Sequence, residues 1–292
     1  MKEWQPETIR DLLLEAGRIA LHHYQSPRTE RKPDRSLVTV ADHAIEAFLA
    51  ERLPAGNDST LLGEETVGIA DEATIRSVRS GITWIVDPID GTSSYANQLP
   101  TWGISLGRME AGRFTDGALF LPRTGDLFLT SGKDVLYAQE SRDPDSWRFD
   151  ELSVLQVEER PYSPIGMVSL PHEVAKGGRF EGVNPLQANG SAVYSLANLV
   201  LGSYIAYIAR IKLWDVAGAV PILKRLGFHI QYEDGRELGE TVSERDWFLD
   251  PEEPRLWKST GPWYIAGSQD TVDYLREHYH PDPRWKRTVT RA

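Results

Sequence analysis

Apolar positions near the start of the chain recur at helical spacing. Ile9, Leu12, Leu13, Ala16, Ile19 and Ala20 lie on one face and predict a helix over residues 7–24. Pro6 stands near its start, where a missing N–H costs little. Residues 26–37 are polar, contain Pro27 and Pro33, and predict a mobile loop. Thr39, with Asp42 three residues on, has the form of a capping box and predicts a second helix from about Val40 to Leu53. The pattern then changes to short apolar runs separated by turn residues. Ile82–Val86, Gly103–Met109, Gly117–Leu121, Asp126–Thr130 and Val135–Ala138 read as strands, and their succession predicts an antiparallel sheet.

A second half opens at Ile165–Leu170, where strands alternate with helices. Helices are expected at about 192–201 and 215–226, a strand at Phe228–Tyr232, and a closing helix from about Thr271 to Tyr279. The polar stretch from Asp143 to Pro164 places a division near residue 150, giving halves 1–150 and 151–292. Ala192–Ile211 is long and apolar enough to invite a membrane reading. Ser195, Asn198, Gly202, Ser203 and three tyrosines interrupt it, so it reads instead as a buried helix, a break at Gly202-Ser203 and a buried strand Tyr204–Ile208.

Composition narrows the partners. The net charge is −11, with no long run of Lys or Arg, which argues against a nucleic-acid polymer. An acidic chain still binds phosphate when metal cations lie between them. The absence of cysteine excludes disulfides, thiolate nucleophiles and Cys-ligated zinc, and suits a cytoplasmic setting. The N-terminal residues lack the basic-then-apolar pattern of a secretory signal.

Chemistry concentrates in three segments: Gly63-Glu64-Glu65, Asp87-Pro88-Ile89-Asp90-Gly91-Thr92 and Trp214-Asp215-Val216-Ala217-Gly218. In the middle one, a buried strand runs into two carboxylates flanking a Pro-Ile pair. Pro88 fixes one backbone angle and Ile89 leaves a carbonyl free to point inward. Gly91 lets backbone N–H groups approach a ligand, and Thr92 adds a hydroxyl. Two carboxylates and a carbonyl on one rigid turn are hard oxygen donors of the kind Mg²⁺ prefers. Taken singly, Asp87 and Asp90 are ordinary turn residues, Glu64-Glu65 a solvated pair, and Asp215 and Asp42 capping carboxylates. Their joint occurrence, in this order, shifts the balance toward a metal site.

Trp84–Thr92 resembles the first signature of the inositol monophosphatase family, and Leu213–Ala219 resembles its second. Gly63-Glu64-Glu65 resembles the family's upstream glutamate motif, and Val38–Asp42 the segment carrying its water-orienting aspartate. The likeness spans roughly residues 7–280. It implies an α/β (α+β) fold in a layered α-β-α-β-α arrangement, related to fructose-1,6-bisphosphatase. It implies two or three Mg²⁺ ions. Glu64, Asp87 and the Ile89 carbonyl would hold one, Asp87, Asp90 and Asp215 a second, with a third near Glu64. Asp42 and Thr92 would pair to orient the attacking water, with Glu64 in the same catalytic set. Asp90 and the N–H groups of Gly91 and Thr92 would contact the phosphate, and Gly190-Ser191-Ala192 the rest of the substrate. Glu65 is a further candidate. A basic contact is expected from the loop holding Arg31, Lys32 and Arg35, with Lys32 favoured. A homodimer is also implied.

Two departures from the family pattern bear on the substrate. Asn97 stands where a histidine is usual. Inositol-selective members carry a glutamate seven residues before the second-signature aspartate; here that position is Ile208, which cannot hydrogen-bond a polyol. Arg210 and Lys212 stand nearby and offer a contact to a second anionic group, or simply a solvated strand end. The expected activity is hydrolysis of a small phosphomonoester. Inositol monophosphate, fructose bisphosphate, a 3′-phosphoadenosine nucleotide and histidinol phosphate are the candidates. A non-catalytic binding homologue and a metal-free lyase are the competing classes.

Overall fold

The computed structural model describes residues 3–32, 36–53, 59–65, 71–140, 143–148 and 151–282. Helix α1 (Pro6–Tyr24) begins at the proline, as expected. The segment expected to be a loop instead forms a hairpin, β1 (Thr29–Arg31) with β2 (Leu37–Thr39). β1 is wholly exposed, so no apolar alternation marks it in the sequence. Helix α2 (Val40–Arg52) starts in the expected capping box: Asp42 Oδ2 accepts from the Thr39 amide at 2.8 Å, and the Asp42 amide donates to Thr39 Oγ1 at 3.4 Å.

The first sheet has seven strands in chain order: β3 (Ser59–Gly63), β4 (Ile82–Asp90), β5 (Gly103–Glu110), β6 (Arg113–Leu121), β7 (Asp126–Ser131), β8 (Asp134–Gln139) and β9 (Ser153–Val154). All its pairings are antiparallel except β3 with β4, which run parallel through the crossover helix α3 (Glu72–Ser80). The short helix α4 (Thr92–Ala96) follows β4 directly.

The second sheet has the order β12-β10-β13-β15-β14, from β10 (Val168–Pro171), β12 (Leu186–Asn189), β13 (Ala206–Ala209), β14 (His229–Tyr232) and β15 (Trp263–Ala266). Helix α5 (His172–Gly177) leaves β10, and a small antiparallel pair joins β11 (Arg179–Phe180) to β16 (Tyr279–His280). The membrane-length stretch splits as expected: α6 (Ala192–Leu201) ends at Gly202, φ 85°, and β13 follows. Among the described residues no helix is long and apolar enough to cross a membrane. The helix expected at 215–226 is two, α7 (Leu213–Ala217) and α8 (Ala219–Arg225). Pro221 cannot donate to the carbonyl of Ala217, and the helix breaks there. Helix α9 (Gln269–His278) closes the order.

Three apolar clusters show the layers. α1 and α2 cover one face of the first sheet through Ile9, Leu13, Ile45, Trp84, Val86 and Leu106. α6, α7 and α8 lie between the two sheets, joining Ile85 and Leu119 to Tyr207 and Ile265. α9 and α5 cover the far face of the second sheet, around Leu170, Ile208, Tyr264 and Val272. This is the α-β-α-β-α stack that the resemblance implies. The first sheet ends at Val154 and the second begins at Val168. The middle cluster draws on both halves.

Candidate active site

Side chains alternate faces along a strand, so residues 87 and 90, an odd number apart, belong on opposite sides of a regular β4. The ladder with β5 slips between them: Asp87 pairs with Ser105 and Asp90 with Gly103, so two residues on β4, Pro88 and Ile89, lie opposite one on β5. This bulge takes up Pro88, which has no N–H for the ladder, and turns both carboxylates into one cavity. Gly91 follows at φ 92°; a Cβ there would meet Ser191 Cβ at 2.8 Å and the Thr101 carbonyl at 3.0 Å. Only glycine suits that combination of conformation and crowding.

Asp215 comes from α7, packed on the face of the first sheet that bears Ile85. Its Oδ2 accepts from the Lys212 amide at 2.8 Å, which fixes the carboxylate at the start of α7. Asp90 is fixed in the same way: its Oδ2 accepts from Ser191 Oγ at 2.6 Å and from the Val193 amide at the start of α6. One oxygen each of Asp87, Asp90 and Asp215 then lie within 4.8 Å of one another. Glu64, set beside Asp87 by the parallel β3–β4 pairing, lines the same cavity of about 300 Å³.

Burial sets the electrostatics. Asp87 and Asp90 are pushed well above the ordinary carboxylate range by loss of water, reinforced by Glu64 for Asp87 and by Asp215 for Asp90. Asp215 is raised for the same reasons, burial first and Glu64 second. Asp42 is raised to about 7 by burial, against the lowering effect of its Thr39 hydrogen bonds. Asp87 Oδ1 and Asp42 Oδ1 are buried without a hydrogen-bond partner. Lys32 reaches across to Glu64 at 3.3 Å and Glu65 at 2.7 Å. Burial alone would lower its pKa, but the two glutamates outweigh that and hold it high.

The expected site residues fall into place unequally. Glu64, Asp87, Asp90, Gly91, Thr92, Gly190, Arg210, Lys212 and Asp215 all line the cavity. Ser191 and Ala192 are buried behind it; Ser191 is committed to Asp90 and to capping α6 through the Tyr194 amide. The expected bond between Asp42 and Thr92 is not formed. Thr92 Oγ1 donates instead to the Ile89 carbonyl at 3.1 Å, and Thr39 takes Asp42 Oδ2. Arg31 is exposed on β1, and Arg35 lies outside the described residues. Ile208 is fully buried in the core of the second sheet. Three site groups carry no motif. Glu46, one helical turn after Asp42, accepts from the Glu65 amide at 2.9 Å and fills the space beside Gly63. Glu173 and Lys258 join the cavity lining from distant segments.

The sequence and the fold both match known proteins. The model of the inositol monophosphatase family aligns with residues 6–253. The chain belongs to that family. Family relatives include the inositol-1-monophosphatase of Bacillus subtilis, 27% identical over 76% of this chain and 82% of that protein. Another is quinic acid degradation cluster protein x of Neurospora crassa, 28% identical over 74% of this chain and 73% of that one. The fold matches the Thermotoga maritima IMPase at TM-score 0.67 and 18% identity, over 93% and 96% of the two chains. An IMPase/NADP phosphatase solved with Mg²⁺ and phosphate matches at TM-score 0.65 and 18% identity, over 94% and 96%. The chain is thus an inositol monophosphatase family phosphatase, a phosphoric monoester hydrolase.

Proposed function

We propose that this family member is a Mg²⁺-dependent phosphomonoesterase that hydrolyses a small soluble phosphate ester by direct attack of water. The convergence of Asp87, Asp90 and Asp215 oxygens within 4.8 Å, in a cavity shared with Glu64, Gly91 and Thr92, carries this reading. These residues fit a hard divalent cation: every donor is oxygen, and the orphaned Asp87 Oδ1 is a buried acceptor that a cation would satisfy. Glu64, Asp87 and the Ile89 carbonyl would hold one ion, and Asp87, Asp90 and Asp215 a second. A third would lie near Glu64, close to where the Lys32 ammonium now offsets the charge.

Bound Mg²⁺ lowers the pKa of a coordinated water and offsets the charge of the phosphoryl group. The chain supplies the positioning. The N–H groups of Gly91 and Thr92, which line the cavity beside the carboxylates, would contact the phosphate. Asp42 Oδ1 lacks a donor, and Thr92 Oγ1 donates to the carbonyl of Ile89, three residues before it. Together they would accept and orient the attacking water, which is what a rate gain from positioning requires. With no cysteine in the chain, a thiolate intermediate is excluded. On the alcohol side, Ile208 is sealed in the core, so that strand supplies no carboxylate for a polyol.

The test is phosphate release from inositol phosphates, fructose bisphosphate, phosphoadenosine nucleotide and histidinol phosphate, with Mg²⁺ and with a chelator. Turnover of at least one ester that stops on chelation, and stops in Asp87→Asn, supports the reading. Activity indifferent to both removes it.

A further inference from the structure

The cavity that gathers the carboxylates also gathers cations. Arg210, Lys212 and Lys258 line it against one further carboxylate, Glu173. Lys212 lies over the Trp214 ring, 5.0 Å from its centroid. The other two converge: Glu173 Oε1 accepts from Arg210, and Glu173 Oε2 accepts from Lys258 at 2.5 Å. Arg210 extends from the end of β13 with a side chain only 7% exposed, whereas Glu173, on the short α5, is 39% exposed. A nearly buried guanidinium and an ammonium thus share one carboxylate that itself reaches water.

The backbone holds Lys258 in this position. Its segment is paired to the approach of the second signature, with Leu213 donating to the Trp257 carbonyl at 2.9 Å and Ser259 donating to Ile211 at 2.9 Å. Trp257, immediately before it, is buried at φ 66°, a conformation that a bulky residue adopts only under constraint from its surroundings. Burial lowers the Lys258 pKa, and Arg210 adds to that, against the raising effects of Glu173 and Asp215. An anionic acceptor bound beside it would favour the ammonium form.

We propose that Arg210 and Lys258, bridged by Glu173, form a second-anion subsite, and that the ester this chain takes carries another anionic group, phosphate or carboxylate, on its alcohol portion. The inference deepens the phosphatase reading and rests on it. In the free protein the Glu173 carboxylate stands where that group would bind. An incoming phosphate or carboxylate displaces it toward solvent and takes charge-assisted hydrogen bonds from Arg210 and Lys258. The released alcohol keeps its second anionic group, so whatever consumes the product must accept an anion.

Fructose 1-phosphate and fructose 1,6-bisphosphate differ only in the second phosphate and make a matched pair. Both kcat/KM in Mg²⁺ and calorimetric affinity, which needs no turnover, are measured on wild type, Lys258→Met, Lys258→Arg and Glu173→Gln. Wild type is expected to prefer the bisphosphate. That preference falls about tenfold in Lys258→Met, the worth of a hydrogen bond between charged groups. It is retained in Lys258→Arg and rises in Glu173→Gln, which loses the competing internal carboxylate. Equal handling of the two esters by wild type, or an unchanged ratio in Lys258→Met, overturns the subsite. If neither ester is hydrolysed but the binding preference behaves as stated, the subsite stands and the phosphatase reading falls.

Discussion

Replacing Asp87 by Asn should stabilise the metal-free protein and destabilise the Mg²⁺-loaded one relative to wild type. Asp87 is 1% exposed, its Oδ1 has no partner, and burial raises its pKa well above the usual value. Without metal, the folded state at neutral pH must either carry an unpaired buried charge or take up a proton. Asparagine keeps the shape and a polar group but drops the charge, which relieves about 1–3 kcal/mol of charge burial and repulsion from Glu64, Asp90 and Asp215. Unfolding entropy of about 2.1 cal/mol/K per residue amounts to about 0.6 kcal/mol/K for this chain, so the metal-free Tm rises by about 2–5 °C. Mg²⁺ at about a hundred times its Kd adds about 2.7 kcal/mol per site, or about 9 °C over the two sites that share Asp87, to wild type alone, which exceeds the gain of the variant. Because the folded-state pKa lies above the unfolded one, wild type without metal loses stability as pH rises from the unfolded carboxylate value near 4. The advantage of Asp87→Asn therefore grows upward from about pH 4 and vanishes below it. Melting curves by calorimetry in chelator and in Mg²⁺, from pH 4 to 8, decide the matter. A variant that melts below wild type in chelator at every pH, or a wild type that Mg²⁺ does not stabilise, refutes the reasoning.

Other substitutions probe the supports of the site. Lys32→Met removes the ammonium from Glu64 and Glu65, the latter's side chain only 5% exposed, and should cost about 1–3 kcal/mol in chelator, a loss that Mg²⁺ reverses in a melting curve. Gly91→Ala forces a Cβ to within 2.8 Å of Ser191 and shifts the Asp90 turn; a displacement of about 1 Å predicts a roughly 100-fold fall in kcat, read by phosphate release. Ile208→Glu, which restores the glutamate of inositol-selective relatives, buries an unpaired charge in the core of the second sheet. It should lose several kcal/mol of stability rather than gain inositol phosphate turnover, as urea unfolding and a rate assay will show.

Much of the fold was legible because its elements bury one face. α1 and the strands from β4 to β8 carry the apolar pattern that predicts them, α2 its capping box, and α6 an apolar run that stops at Gly202. The hairpin β1–β2 was not legible: its first strand buries nothing, and only backbone pairing defines it. The α7–α8 break depends on a single missing N–H at Pro221, which apolar periodicity does not register. The metal carboxylates were visible because each lies in a short motif at the end of an element. Glu46 had a faint signal, one turn beyond Asp42 on α2. Glu173 and Lys258 had none, since only the packing of α5 and the pairing of residues 257–259 with 211–213 bring them to the cavity. The Asp42–Thr92 pair was expected from resemblance, yet each side chain finds a nearer backbone or capping partner.

Calorimetric titration of Mg²⁺ into metal-free protein tests the central claim, that Asp87, Asp90 and Asp215 act together as one cation site. Binding is expected to be saturable at neutral pH and to be lost in Asp87→Asn and in Asp215→Asn alike. Binding that survives either substitution unchanged, or no binding to wild type, would contradict it.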